Sequence, residues 1–317
     1  MSKRLWKKAC AFLLTVCMLV TMLPVSALAV YIPTLPKVGE GSLGEDSGLK
    51  YTYYGDMQME DGAIITNVEI VISIDNSSGV ENPTYRIPDY ATENDRPWVP
   101  SDTGVYMKVY IEDGVKGIGS NAFSNMEYLS EIVIEDPQDL EYIGENAFAG
   151  GGMSGGTTIT TGLPEDTEEG KLDLSNCTQI GSNAFSGCTQ LEEVTLSNSL
   201  TDISAGAFRG TGLTEIDIPE NVTTIGNNAF SNPNGRGFTE LTIPANVTSI
   251  GNSAFSGHRN LENVYIYAGQ EKAITVGENA FANCGTAVNQ TTKGYTADEL
   301  KTWNPEQGKP TGGNEHE

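Results

Sequence analysis

Histidine is nearly absent from this sequence: His258 and His316 are the only two in 317 residues. A His-Glu-x-x-His metal site is therefore excluded, and no histidine can be assigned to a catalytic triad. Cysteine is scarce too, with five in all and no Cys-x-x-Cys pair, so a cysteine-ligated zinc site has no ligand set. Glycine-rich phosphate loops and dinucleotide fingerprints are missing. Basic charge is short, with 18 Lys+Arg against 42 Asp+Glu and a formal net charge of −24. Such a chain is repelled by nucleic acid and by anionic lipid. After Val25 no stretch is long and apolar enough to span a membrane.

The one apolar run stands at the start. Lys3, Arg4, Lys7 and Lys8 precede an apolar stretch from Ala9 to Val25, broken by Pro24. Ser26-Ala27-Leu28-Ala29 then supplies small residues for cleavage. Residues 1–29 thus read as a secretory signal, which implies a secreted or extracellular protein, with surface association as a further option. Removing it leaves 14 bases against 42 acids, a formal charge of −28, and three cysteines: Cys177, Cys188 and Cys284. An odd count is no disulfide framework. A sortase-like Leu163-Pro164-Glu165-Asp166-Thr167 is internal and wrongly spaced, so the sequence names no surface anchor.

What the chain has in plenty is repetition. Ile-Gly-x-Asn-Ala-Phe, with small changes, recurs around Phe123, Phe148, Phe185, Phe208, Phe230, Phe255 and Phe281, at spacings of 25, 37, 23, 22, 25 and 26 residues. A period in the low twenties predicts a solenoid whose units bury their apolar sides only against neighbours. The residue before each Phe is always Ala, which predicts a close backbone approach, and the Phe column predicts an aromatic spine along the axis. Five residues before each Phe stands Ile118, Ile143, Ile180, Ile203, Ile225, Ile250 or Val276. Gly follows it in six units and Ser204 in the other; Gly there suits a turn with an unusual φ. Upstream, apolar pairs alternate with period two, as in Val109/Ile111, Val194/Leu196, Ile216/Ile218 and Leu241/Ile243. That pattern predicts one short strand per unit, stacked into a parallel sheet.

The wording Leu213-x-x-Ile216-x-Ile218-Pro219-x-x-Val222-x-x-Ile225-Gly226-x-x-Ala229-Phe230 resembles the BspA-like leucine-rich repeat family of bacterial secreted and surface proteins. The resemblance covers 105–284. Arg86-Ile-Pro-Asp-Tyr-Ala and Arg96-Pro-Trp98 look like the lead-in that such proteins carry before the first coil. It implies an α/β solenoid: a right-handed leucine-rich repeat of seven coils, one parallel strand per coil. It also implies a secreted or surface-displayed recognition module, often adhesin-like.

Around the repeats, 30–49 reads as a flexible linker rich in Gly, Pro, Ser and Glu. Residues 50–104 read as a β-rich N-terminal cap, with strands around Tyr51–Tyr54 and Val68–Ile74 and Trp98 as the candidate for closing the solenoid end. Residues 150–170 read as an insertion emerging as a loop, and 285–317 as a C-terminal cap element followed by a disordered tail. The cysteines read as small buried apolar residues. Cys188 and Cys284 share a repeat column with His258, four coils apart at roughly 20 Å, too far to bridge.

Outward strand positions form the expected recognition face. Its first column reads Lys108, Glu131, Lys171, Glu193, Glu215, Glu240 and Asn263; the second includes Tyr110, Val133, Asp173, Thr195, Asp217, Thr242 and Tyr265; the third ends in Tyr267. The sites expected to bind are Tyr110, Glu131, Glu193, Glu215, Asp217, Glu240, Tyr265 and Tyr267. They would form a ribbon of about 29 Å. A protein with a basic patch suits the acids, and a surface glycan suits the tyrosines. A hydrolase is the least favoured class. Gly152-Met-Ser154-Gly-Gly156 mimics a nucleophile elbow but lacks the strand before it and the helix after it. Pairs of acids are plentiful, but a narrow solenoid packed through its centre offers no deep pocket for a two-carboxylate mechanism. No catalytic residue, metal site or cofactor is expected.

Overall fold

The structure, a computed structural model, describes residues 37–58, 64–81, 83–92, 95–97, 106–126, 129–150, 158–161, 168–235, 237–261, 263–266, 274–285, 303–304 and 309–310. The signal segment 1–29, Trp98, Tyr267 and most of the insertion and tail fall outside these. Among the described residues the chain is a β-solenoid. Ile118, Ile143 and Ile180 pair in parallel register, as do Ile203, Ile225, Ile250 and Val276. Backbone N–H groups bond to the next coil instead of closing helical turns: Phe123 donates to Ala147 O at 2.7 Å and Phe230 to Ala254 O at 2.8 Å. That is why the expected α/β class is not met. The described helical structure is confined to 3₁₀ turns such as Pro137–Asp139.

The spine forms as expected. Successive phenylalanine rings lie 5.2–5.6 Å apart and within 14° of parallel, from Phe123 through Phe281. The 37-residue spacing leaves no gap, since Phe148 and Phe185 stack at 5.2 Å. All seven alanines of the preceding column are fully buried.

The glycine column has a different cause from the one expected. These glycines have ordinary φ, and what they permit is close approach. A Cβ on Gly181 would stand 2.5 Å from Glu145 N, and one on Gly251 2.5 Å from Asn227 N. The left-handed corner falls two residues later, at Asn121, Asn146, Asn183, Asn228, Ser253 and Asn279, with φ between 54° and 59°. Gly206 takes the same place in the remaining coil at φ 65°. Asparagine tolerates this region better than other side chains do, which explains its recurrence before Ala-Phe.

The N-terminal end is more ordered than a linker and cap would suggest. Residues 37–49 are not a linker: Lys37–Ser42 pairs antiparallel with Leu49–Gln58, which pairs with Ile64–Ile74. Leu43 and Leu49 are buried beneath, because the first coil needs an apolar cover. Ile64–Ile74 then runs parallel to Tyr106–Ile111, so cap and solenoid share one sheet. The first coil has no predecessor to bond its carbonyls. Tyr90 N–H donates to Ser120 O at 2.9 Å, and the buried Arg96 guanidinium donates to Ser124 O at 2.7 Å and reaches Asn121 O and Ala122 O. These donors replace those of a missing coil.

The insertion is also built into the sheet and is not only a loop. Thr158–Thr161 pairs parallel with Leu129–Ile134 and antiparallel with Glu168–Glu169. Gly170 N–H donates to Ile159 O at 2.9 Å, while Gly170 O accepts from Glu192 N–H at 2.7 Å. Gly170 thus joins the inserted strand to the next coil. In the tail, Trp303–Asn304 and Lys309–Pro310 pair antiparallel. A strand pair is one way to meet the unpaired edge that a solenoid end presents.

Cys177, Cys188 and Cys284 are free and buried. Burial pushes their thiols up to about 11, 12 and 11. Cys188 Sγ and Cys284 Sγ each reach the carbonyl of the Phe one coil earlier, Phe148 O at 3.4 Å and Phe255 O at 2.9 Å. Iodoacetamide at pH 8 should therefore leave these three thiols unmodified in the folded chain and alkylate all of them once urea unfolds it. A disulfide among them in non-reducing mass mapping would contradict the columns.

Candidate functional site

The outward strand positions divide into two parts. In the N-terminal part, Lys108 sits opposite Glu131, and Glu131 opposite Thr158 rather than Lys171. Lys108 Nζ lies 2.6 Å from Glu131 Oε2, and Thr160 Oγ1 donates to Glu131 Oε1 at 3.0 Å. The bond to Glu131 raises the Lys108 pKa, with burial working against it. Tyr110 is half-buried, and its row neighbours Val133 and Thr160 are 6% and 1% exposed. Tyr110 and Glu131 are thus engaged within the sheet. The inserted strand was invisible to period-two reading because Thr158-Ile-Thr-Thr161 carries a single aliphatic residue.

The C-terminal part is open. Glu193, Thr195, Glu215, Asp217, Glu240 and Thr242 are all exposed. Beneath them Val194, Leu196, Ile216, Ile218, Leu241 and Ile243 are buried, so the expected inward and outward alternation holds. Glu193 Oε2 lies 3.6 Å from Lys171 Nζ, but both side chains are about half exposed and the pair is weak. Lys171–Leu174 pairs with Glu193–Leu196, and Glu240–Ile243 with Asn263–Ile266, each in parallel. Residues 215–218 between them are in no strand, although their sequence predicts one. The continuous ribbon is therefore replaced by two short ladders flanking an unbonded stretch. Four of the expected residues, Glu193, Glu215, Asp217 and Glu240, share this open strip. Tyr265 lies opposite Thr242 by backbone register, its side chain outside the described residues, and Tyr267 lies wholly outside them.

A second acidic group, Glu112, Asp113 and Glu135, lies outside this strip. Burial pushes the Glu112 carboxyl up to about 7, with Glu135 and Asp113 adding to the effect. Glu135 Oε2 accepts from Asp113 N–H at 3.3 Å. Among the described residues no cluster of three or more His, Cys, Asp or Glu is placed to hold a metal ion.

The BspA type leucine rich repeat region matches this chain in six copies over residues 103–162 and 168–288, more than half its length. The expected seven coils thus stand as six matched copies. Among solved structures, the chain is similar to a leucine rich cell surface protein from Faecalibacterium prausnitzii, at 24% identity and a TM-score of 0.38, covering 75% of this chain and 73% of that one. It is similar to the pneumococcal vaccine antigen PcpA, at 14% identity and a TM-score of 0.30, over 80% and 91% of the two chains. A leucine-rich repeat protein from Eubacterium ventriosum is 16% identical, with a TM-score of 0.25 over 88% and 100%. No curated protein matches the chain.

Proposed function

Because the chain belongs to the BspA-type leucine-rich repeat family, we propose that it is an exported, surface-associated recognition module that binds a protein partner through the open part of its strand face. The reading takes 1–29 as the export signal and one coil for each of the seven stacked phenylalanines. The observation that carries it is the strip of Glu193, Glu215, Asp217 and Glu240, exposed over successive coils above a buried apolar layer. Like charges at the same position of successive coils are mildly unfavourable, whether or not a strand ladder joins them. Threonine fills equivalent sites at Thr195 and Thr242 without that penalty. A basic patch on a partner offsets the repulsion, and the acids set its approach and its salt dependence. Glu131, already neutralised by Lys108, contributes little to this strip. Catalysis has no place in this reading.

The test is a triple variant, E193Q/E215Q/E240Q, of the chain lacking 1–29. A protein array screen of the parent supplies the partner. The variant should melt at the same temperature as the parent or slightly higher. It should bind the partner about tenfold more weakly at low salt, ~1.4 kcal/mol, with a flatter salt dependence. Unchanged affinity at both low and high salt would make the strip an ordinary solvated face.

A further inference from the structure

The turn face of the solenoid carries a trough of about 720 Å³ along its first four coils. The chain has 42 acids, yet none lines this trough. The one charged lining residue is Arg209, which is exposed and makes no ion pair among the described residues. The walls carry the side-chain amides of Asn121, Asn146 and Asn183, at the same position of three consecutive coils, with Asn125 of the first coil beside them. Their left-handed backbone fixes where each amide stands.

The first two amides are tied in series. Asn121 Nδ2 donates to Tyr90 O at 2.7 Å, and Asn146 Nδ2 donates to Asn121 Oδ1 at 3.2 Å. Each nitrogen carries two hydrogens, so one N–H of each remains for a ligand. The ladder stops at the fourth coil, where Gly206 takes the left-handed position without a side chain, and Arg209 stands at that end. Gly150 and Gly187, both in left-handed geometry, add no side chain to the lining.

The step of this array decides what fits. The coil advance, set by the parallel strand ladders, is about 4.8 Å; the offset-stacked rings lie 5.2–5.6 Å apart, centroid to centroid. An extended peptide repeats its outward amides every two residues, about 6.6 Å, and is about 3.6 Å out of step by the third coil. A β-linked chain of pyranose rings advances one ring in about one coil step. It presents hydroxyls at each ring that can accept from the amides and from Arg209. The acidic chain disfavours a polyanionic glycan at long range. We propose that this trough binds a neutral β-linked hexopyranose chain, one ring per coil, with Arg209 fixing its end.

The experiment is calorimetric titration of the chain lacking 1–29 with cellohexaose. A glycine-serine hexapeptide and the α-linked isomaltohexaose serve as comparisons. Two variants remove donors at different places: Arg209→Gln on the exposed rim, and Asn146→Asp, which suits the same left-handed backbone. The parent should show saturable single-site binding of cellohexaose and none of the comparison ligands. Each variant should bind about tenfold more weakly, as expected for a lost hydrogen bond, and Arg209→Gln should melt at the parent temperature. E193Q/E215Q/E240Q should bind cellohexaose like the parent, which separates the trough from the strand face. Absence of saturable cellohexaose binding, equal binding by Arg209→Gln and the parent, or preference for the peptide would each overturn the proposal.

Discussion

Phe230→Ala should destabilise the chain by about 3–5 kcal/mol, because a buried ring leaves both lost transfer energy and a cavity. Phe230 is 2% exposed and touches more than its two stacking neighbours. Its ring lies 5.4 Å from Phe208 and from Phe255, and meets Phe238 edge-on at 6.0 Å. Each coil is its neighbour's only core, so the damage should spread along the axis. A fall of roughly 5–10 °C in melting temperature is expected. Hydrogen exchange should rise in the coils of Phe208 and Phe255 as well as in the mutated one. A melt unchanged from the parent would remove the spine from the account.

Acid should cost nearly as much, through one side chain. His258 is 2% exposed and stacks on Phe238 at 4.2 Å. Its Nδ1 accepts from Phe238 N–H at 3.0 Å, which leaves Nε2 as the donor to Phe230 O at 2.6 Å. The ring is therefore neutral in the folded chain. Burial holds its pKa down at about 4 from 6.5, with the bond to Phe230 O working the other way. The unfolded chain takes up this proton near pH 6.5 and the folded chain near 4. The histidine's contribution is thus complete above pH 6.5, is lost as pH falls from 6.5 to 4, and is flat below. The loss amounts to roughly 3 kcal/mol. Urea unfolding of the parent and His258→Gln at pH 7 and pH 4 isolates it, since titration of the carboxylates is common to both. The parent should lose about 3 kcal/mol more than the variant over that interval. Parallel pH profiles would show that the imidazole titrates freely when folded.

The repeat made the columns legible. Phe, Ala and Ile each recur at a fixed phase, as do Cys188 and Cys284, and a solenoid converts phase directly into neighbourhood. What phase cannot show is why a residue recurs. The sequence suggests turn formers at Gly181 and Gly251, but these sit against the backbone of the preceding coil, while the left-handed corner belongs to Asn183 and Ser253. Arg96-Pro-Trp98 resembles a lead-in to the first coil, but that Arg96 closes it through bonds to residues 25 to 28 positions away is not written in its neighbours. Thr158–Thr161 and Lys37–Ser42 are short strands whose partners define them, so they resemble linker and loop when read alone. In the candidate site the acidic column was legible because outward positions follow from inward ones. The engagement of Glu131 was not, because it depends on a strand that the repeat does not contain.

The recognition strip is tested most directly by hydrogen exchange on the chain with and without the partner captured in the array screen. In the free chain the amides of 215–218 belong to no strand and should exchange faster than those of Glu193–Leu196 and Glu240–Ile243. With the partner bound, exchange at 215–218 should slow markedly and the flanking strands should slow with it, while the Ile-Gly corners on the other side of each coil should not change. Protection confined to the turn face or the N-terminal sheet, with 215–218 unaffected, would contradict the strand face as the site of recognition.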